Sequence, residues 1–201
     1  MNNQVIVDLQ NIYIGHFNIN YRGIPTAKCP FDYVLYQMVI NEVKPDLIIE
    51  IGAYKGGSAL YMADLLNAIG KGIVHTIDIE DRVESSLVLN HGRIKYFTKG
   101  YQDYDLENTK GFEKILVIDD GSHYYGDVIA TLNKFKDVVT KGSYLIVEDG
   151  IINELNARGH MSLDFGGGPL RAIEEFLLMN RNFIIDHNYC DFFGKNATYI
   201  S

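Results

Sequence analysis

The run from Ile115 to His123, Ile-Leu-Val-Ile-Asp-Asp-Gly-Ser-His, places four apolar residues directly before two carboxylates. Three of the four are β-branched, which is typical of a strand buried on both faces of a parallel sheet. The Asp-Gly-Ser step that follows predicts a turn and the start of a helix. We therefore expect Asp119, Asp120 and His123 at the C-terminal end of a central strand, where ligands bind in open α/β sheets.

Similar apolar runs recur along the chain and alternate with helical patterns. The sequence predicts strands at 47–52, 73–79, 93–98, 115–120 and 143–150, and helices at 31–43, 59–69, 81–89, 124–139 and 169–179. This alternation predicts a doubly wound, Rossmann-like α/β sheet that is mostly parallel. Two further strands, Phe183 to Tyr189 and Ala197 to Ile200, are expected as a C-terminal antiparallel pair. The whole chain is predicted to be one domain, with a cover segment and helix at 1–45 and the core at 46–201.

Composition excludes several classes of partner. The 201 residues carry a net charge of −8 without a basic run, which argues against nucleic acid and anionic membranes. No apolar stretch is long enough to span a bilayer, and the N-terminus lacks a signal sequence, so a cytoplasmic protein is expected. Cys29 and Cys190 lack metal-ligand spacing and are expected to be reduced thiols. The aromatic N-terminal segment is a candidate contact for a homo-oligomer.

The glycine loop after the first core strand favours S-adenosylmethionine (SAM) over NAD. Its pattern, Glu-x-Gly-x-x-x-Gly-Gly-Ser from Glu50, departs from the Gly-x-Gly-x-x-Gly of dinucleotide sites. A carboxylate at Glu50 would repel a diphosphate but could pair with the ammonium of SAM. Asp78, at the end of the next strand, is placed to accept from ribose hydroxyls. The alternatives are that Glu50 is a buried acid bonded to backbone and that Asp78 caps a helix.

A second group of carboxylates predicts a metal site. Asp120 ends one strand and Glu148 and Asp149 end the next, which a right-handed crossover places nearby. Three converging carboxylates repel one another unless a cation is present, and Mg²⁺ prefers such oxygen ligands. The alternative is that these acids are helix caps and solvated loop ends. His123, three residues after Asp120, is then a candidate general base.

At these residues the chain resembles a group of SAM-dependent O-methyltransferases. The group contains cephalosporin hydroxylase-like proteins, rhamnosyl O-methyltransferases and macrolide-sugar O-methyltransferases. The resemblance covers most of the chain and rests on Lys28 to Asp32, Tyr36-Gln37, Ile49 to Gly52, Gly56 to Ser58, Asp78, Asp119 to His123, Val147 to Asp149 and the Gly-Gly-Pro before the last long helix.

The resemblance implies a class I methyltransferase fold and a role for each site residue. It implies that Mg²⁺ is held by Asp120, Glu148 and Asp149, and that His123 is the base. It implies a SAM site formed by Glu50, Gly52, Tyr54, Ser58, Asp78 and Asp119. The stretch 159–168, which follows Arg158 and contains His160, would be a lid over the acceptor.

The expected activity is therefore Mg²⁺-dependent methyl transfer from SAM to a hydroxyl group. The expected acceptor is a sugar, a glycoconjugate or a natural-product precursor. Two alternatives stay open: a catechol-type methyltransferase of small molecules, and a SAM-binding accessory protein without turnover. An NAD-linked oxidoreductase is a distant third, because Glu50 and the missing Gly-x-Gly pattern argue against it.

Overall fold

Strands and helices alternate along the chain in the computed structural model, which describes residues 9–152 and 164–193. In chain order the elements are α1 (Leu9–His16), β1 (Asn20–Tyr21), β2 (Ile24–Pro25), α2 (Pro30–Val43), β3 (Leu47–Ile51), α3 (Gly57–Ile69), β4 (Ile73–Ile77), α4 (Ser86–Leu89), β5 (Ile94–Phe97), β6 (Ile115–Asp119), α5 (Tyr125–Phe135), β7 (Leu145–Val147), α6 (Gly168–Met179) and α7 (His187–Cys190), with a 3₁₀ turn at Leu106–Thr109.

The central sheet has the strand order β5-β4-β3-β6-β7, and every neighbouring pair is parallel. From β3 the chain moves outward through β4 and β5, then returns to the other side of β3 at β6. Ile51 of β3 lies beside Ile77 of β4 on one side and Asp119 of β6 on the other. The reversal between β3 and β6 is the switch point at which open α/β sheets bind ligands. The predicted doubly wound, Rossmann-like fold is confirmed.

Both faces of the sheet are covered by apolar side chains, as the β-branched runs predicted. Every residue of β3 and β6 is buried. On one face, Ile48 and Leu116 belong to a cluster with Leu35 of α2 and Leu66 of α3. On the other face, Ile49 and Val117 cluster with Phe135 of α5. Helices therefore lie on both sides of the sheet, and the two central strands are shielded from solvent along their whole length.

The N-terminal segment packs against the start of α3 through the small antiparallel pair of β1 and β2. Gly57 is the contact point, because a Cβ at this position would lie 2.7 Å from the carbonyl oxygens of Ile24 and Pro25. Glycine is thus required for the hairpin to approach the helix. The division into a cover segment at 1–45 and a core at 46–201 stays a prediction.

The C-terminal part differs from its predicted strand pair. Residues 183–186 form no strand, and His187–Cys190 is the short helix α7. The Asp186 side chain accepts a hydrogen bond from the backbone N–H of Asn188, so this residue caps a helix rather than continuing a strand. The predicted strand at 197–200 lies outside the described residues, and β1–β2 is the antiparallel pair that the described residues contain.

Two predicted helices are shorter in the structure. The predicted helix at 81–89 is reduced to Ser86–Leu89, because the Ser85 hydroxyl accepts from the backbone N–H of Leu87 and caps the helix there. The predicted helix at 124–139 ends at Phe135. Among the described residues there is no helix with the length and apolar character needed to cross a membrane.

Candidate functional site

Gly52, directly after β3, brings two strand ends into unusually close contact. Its φ is +97°, and a Cβ here would lie 2.7 Å from the carbonyl carbon of Asp120. The backbone N–H of Gly52 donates to Ile77, and that of Asp120 donates to Ile51, both within 2.9 Å. A side chain at residue 52 would therefore separate the ends of β3 and β6. This approach fixes Asp120 at the switch point.

A cavity of about 440 Å³ opens at this switch point. Its walls include four of the six residues predicted to surround the cofactor, and three of the four residues predicted at the nearby acidic edge, the exception being Glu148. These wall residues are Gly52, Tyr54, Asp78 and Asp119 on the cofactor side, and Asp120, His123 and Asp149 on the acidic side. The close backbone approach at Gly52 and the carboxylate of Asp78 suit an adenosyl group with ribose hydroxyls.

Asp78 holds the loop that follows β3. One of its carboxylate oxygens accepts from the backbone N–H of Tyr54 at 2.9 Å, and the other accepts from the N–H of Glu80 at 2.9 Å. Tyr54 has a φ of +47°, which favours glycine, so this bond stabilises an otherwise unfavourable backbone. Asp78 caps no helix, since α4 begins only after Ser85.

Glu50 and Ser58, which the sequence also placed around the cofactor, do not line the cavity. Glu50 is fully buried and accepts a hydrogen bond of 2.6 Å from the Thr76 hydroxyl, a side-chain partner rather than the backbone considered above. Burial raises the pKa of Glu50, while the charge of Lys28 and the hydroxyls of Ser58 and Thr76 oppose that rise. The charge of Glu50 therefore acts on the buried ammonium of Lys28 rather than directly on the cavity.

Asp120, His123 and Asp149 form the acidic edge of the cavity. One oxygen or nitrogen atom from each lies within 4.8 Å of the others, and His123 Nε2 is 3.0 Å from Asp149 Oδ2. Burial lowers the pKa of His123, and burial together with the charges of Asp120 and Glu148 raises that of Asp149 well above its usual range. The two carboxylates are a donor set that fits a hard divalent cation, and the imidazole lies beside them.

Backbone strain is concentrated around the same cavity. Six non-glycine residues in the described ranges have a positive φ, and four of them line the cavity: Ala27, Tyr54, His123 and Asp149. A left-handed conformation costs roughly 1 kcal/mol for such residues. Two of the four, His123 and Asp149, each have a side-chain atom within 4.8 Å of Asp120.

Glu148, the third predicted metal ligand, faces a different partner. Its carboxylate accepts hydrogen bonds from the Lys28 ammonium and the Tyr36 hydroxyl, and it is 3% exposed. The structure thus brings Asp120 and Asp149 together with His123, and it places Glu148 beside Lys28. The predicted lid at 159–168 lies partly outside the described residues, as does His160.

Lys28 is the residue to which sequence reasoning gave no role. Its ammonium lies 2.5 Å from Asp120 Oδ2 and also contacts Glu148. Burial alone would lower the pKa of Lys28, but the charges of Asp120, Glu148 and Glu50 raise it well above its usual range. The available signal was the place of Lys28 in the stretch from Lys28 to Asp32 that carries the resemblance, but that stretch alone assigns the lysine no partner.

Comparison with known proteins identifies the family to which this sequence is similar. The sequence model of the family described as Rhamnosyl O-methyltransferase/CmcI matches residues 13–198. The chain is 31% identical over 164 residues to rhamnosyl O-methyltransferase from Mycobacterium bovis (strain BCG / Pasteur 1173P2), which covers 78% of this chain and 65% of that protein. It is 30% identical over 174 residues to the protein of the same name from Mycobacterium leprae (strain TN), covering 82% of this chain and 74% of the relative.

A solved structure of CmcI, described as CmcI with Mg and SAM, has the same fold. Its TM-score is 0.65 at 22% identity, and the match covers 92% of this chain and 75% of CmcI. The family match extends over nearly all of the described core, including the glycine loop and the acidic edge. The chain therefore belongs to the rhamnosyl O-methyltransferase/CmcI family.

Proposed function

We propose that this chain transfers a methyl group from SAM to a sugar hydroxyl, with a divalent cation, Mg²⁺, at the acidic edge. The observation that carries this proposal is the cavity at the switch point, which joins a loop suited to an adenosyl group to the carboxylates of Asp120 and Asp149 and the imidazole of His123. Family membership and the name of the mycobacterial relatives support methyl transfer and a sugar acceptor.

The cofactor side of the cavity supports SAM. Gly52 leaves room for close approach, Asp78 accepts hydrogen bonds at the end of β4, and Asp119 lies at the end of β6. We infer that Gly52, Tyr54, Asp78 and Asp119 contact SAM directly. Glu50 and Ser58 would act from behind them, by shaping the loop and its charge. SAM supplies an electrophilic methyl group on a sulfonium, which leaves positioning as the main task of the protein.

Asp120 and Asp149 are the residues that would hold Mg²⁺, with Glu148 as the third carboxylate predicted from the sequence. The support for Mg²⁺ is the donor set itself, together with CmcI, which is named with Mg. A bound divalent cation would lower the pKa of an acceptor hydroxyl and hold it in place. Glu148 accepts from Lys28 and Tyr36 through Oε1, so its other carboxylate oxygen would be the one to serve the cation.

His123 is placed to remove the proton from the acceptor hydroxyl. Burial lowers the pKa of His123, so its imidazole is neutral near pH 7 and able to accept a proton. Asp149 at 3.0 Å from Nε2 orients the ring and would stabilise the charge that develops on it. The exposed ring of Phe17 and the buried His16 also line the cavity and would border the acceptor.

The decisive experiment is calorimetric titration with SAM, with and without Mg²⁺, using NAD as the control ligand. We expect SAM to bind in both conditions and NAD to bind in neither. The protein is then incubated with SAM, Mg²⁺ and a panel of alkyl rhamnosides and catechols, and product is detected as methylated acceptor by mass spectrometry. Absence of SAM binding contradicts the proposal, whereas SAM binding without transfer to any acceptor favours the accessory protein.

A further inference from the structure

Lys28 is the one lysine or arginine that is buried among the described residues, with 3% of its side chain exposed. A buried ammonium is strongly destabilising unless opposite charges surround it. Here Asp120 Oδ2 lies 2.5 Å from the ammonium, and Glu148 contacts it from the other side. The lysine therefore bridges the carboxyl ends of β6 and β7, where like charges would otherwise repel.

The surroundings of Lys28 fix its position. Ala27, with a φ of +49°, turns the backbone just before it, and Pro30 begins α2 just after it. The ammonium lies 5.3 Å from the ring centroid of Tyr36, whose hydroxyl donates to Glu148. A side chain held by a ring and two carboxylates has little freedom to move away when another cation arrives.

The position of Lys28 sets up a conflict at Asp120. Asp120 is a member of the donor set that would hold Mg²⁺, and one of its two carboxylate oxygens already accepts from Lys28. Mg²⁺ bound to Asp120 would therefore share a carboxylate with a fixed positive charge. Two cations on one carboxylate repel each other, and this repulsion persists in a buried site where solvent screening is weak.

We propose that Lys28 is a positioning residue that neutralises Asp120 and Glu148 before Mg²⁺ binds and then weakens the binding of Mg²⁺ to Asp120. The inference rests on the proposed metal site and adds a control on its affinity. With Lys28 in place, the carboxylates stay assembled without metal, and Mg²⁺ remains exchangeable. Glu50, which acts on Lys28 from behind the cavity wall, contributes to the same balance of charge.

The test is calorimetric titration of Mg²⁺ into the full chain and into Lys28→Met, which keeps the unbranched shape of the side chain, one atom shorter, and removes its charge. We expect Lys28→Met to bind Mg²⁺ tighter by about tenfold or more, because a charge this close typically shifts an equilibrium by that factor. Without metal the variant should melt at a lower temperature than wild type. Added Mg²⁺ should raise its melting temperature by more than it raises that of wild type.

Two further variants keep the test decisive. Lys71→Met is the matched control, because Lys71 also pairs with an aspartate, Asp46 at 2.7 Å, but on the surface away from the cavity. Its Mg²⁺ affinity should equal that of wild type. Lys28→Gln removes the charge but keeps a hydrogen-bond donor for Glu148, and it replaces Lys28→Met if that variant does not fold. It should also bind Mg²⁺ tighter.

The outcomes separate this inference from the proposed function. If wild type binds Mg²⁺ and the folded Lys28 variants bind it equally or more weakly, the proposed role of Lys28 is wrong. The proposed metal site is not affected by that result. No Mg²⁺ binding by wild type or by either variant overturns both. SAM titrations on the same samples report on the cofactor site independently, so a loss of SAM binding would show that a variant is misfolded around the cavity.

Discussion

The residues that matter most for the proposed chemistry are few and close together. His123 and Asp149 contact each other at 3.0 Å, and Asp120 joins them within 4.8 Å. None of the three contributes to the apolar core, and two of them adopt a strained backbone. Substitutions here should therefore change function more than fold.

His123→Gln tests the base at the level of a single residue. Glutamine keeps a polar side chain of similar length but cannot accept a proton near pH 7, so turnover should fall by about 10²–10⁴-fold. The affinity for SAM should change little, because the imidazole faces Asp149 on the acidic side of the cavity. Single-turnover kinetics and a SAM titration measure the two quantities separately. An unchanged rate would transfer the base to another group, with Asp119 next in line.

Asp120→Asn tests the metal side. The amide keeps the shape and a hydrogen-bonding group but removes a negative charge from the donor set, so Mg²⁺ affinity and Mg²⁺-dependent transfer should both be lost. SAM binding should persist, because the backbone contacts of residue 120 with Ile51 and Gly52 do not involve the side chain. Full activity of this variant in the presence of a chelator would contradict the metal assignment.

At the scale of elements, the start of α3 depends on what packs against it. The hairpin of β1 and β2 approaches Gly57, whereas Gly126 near the start of α5 has open space around it. These two helical glycines offer a matched comparison, because they differ in their surroundings far more than in their position within a helix.

Gly57→Ala should destabilise the protein by about 1–3 kcal/mol, because the added methyl group forces the hairpin away. Gly126→Ala should be neutral or stabilise it by up to about 1 kcal/mol, because alanine favours a helix more than glycine does. Urea denaturation monitored by circular dichroism measures both. Equal effects of the two substitutions would show that the hairpin does not rest on α3 in solution.

For the whole molecule, the buried His75 gives stability a pH dependence. It lies in β4 against Tyr104, with 2.7 Å between His75 Nδ1 and the Tyr104 hydroxyl, and burial and nearby Lys95 lower its pKa to about 4. The unfolded chain, in which a histidine has a pKa of about 6.5, binds more protons between those two values. The contribution of the buried neutral His75 to the free energy of unfolding is complete above pH 6.5 and is lost as the pH falls toward 4.

We therefore compare the free energy of unfolding of wild type with that of His75→Phe. We expect the advantage of wild type to shrink or reverse as the pH is lowered from 7.5 to 4. The change in that difference should reach about 3 kcal/mol, since the cost is roughly 1.4 kcal/mol for each unit of pKa. Thermal or urea unfolding of both proteins across this pH range measures it, and the titration of the carboxylates cancels in the comparison. A difference that does not vary with pH would contradict the low pKa of His75.

Much of this architecture could be predicted because the spacing of apolar residues within each short segment indicates a strand or a helix. The strands at Leu47 and Ile115 and the helix from Pro30 follow from runs of apolar residues whose period needs no knowledge of distant contacts. The proximity of Asp120 to Asp149 followed from the crossover rule for parallel strands.

The features that sequence reasoning missed are those decided by distant contacts. Lys28 and Glu148 are 120 residues apart, and nothing local indicates that they pair. The segment from Phe183 has the composition of a strand, but Asp186 caps a helix there instead. Glu50 lies on its predicted strand, and its carboxylate accepts from the hydroxyl of Thr76, a partner on the neighbouring strand that no local pattern indicates. Local patterns predict the elements, whereas the choice among partners for a charged side chain depends on the assembled fold.

The four left-handed residues that line the cavity affect which substitutions this protein can accept. Glycine would relieve the strain at Ala27 or Tyr54, and a laboratory selection for heat resistance alone would accept it wherever that relief exceeds the extra freedom that glycine gives the unfolded chain. The same substitutions would loosen the turn before Lys28 and the loop after β3, which the proposed site needs in one conformation. Thermal stability and activity thus favour different residues at these positions. A variant library selected only for stability would lose activity.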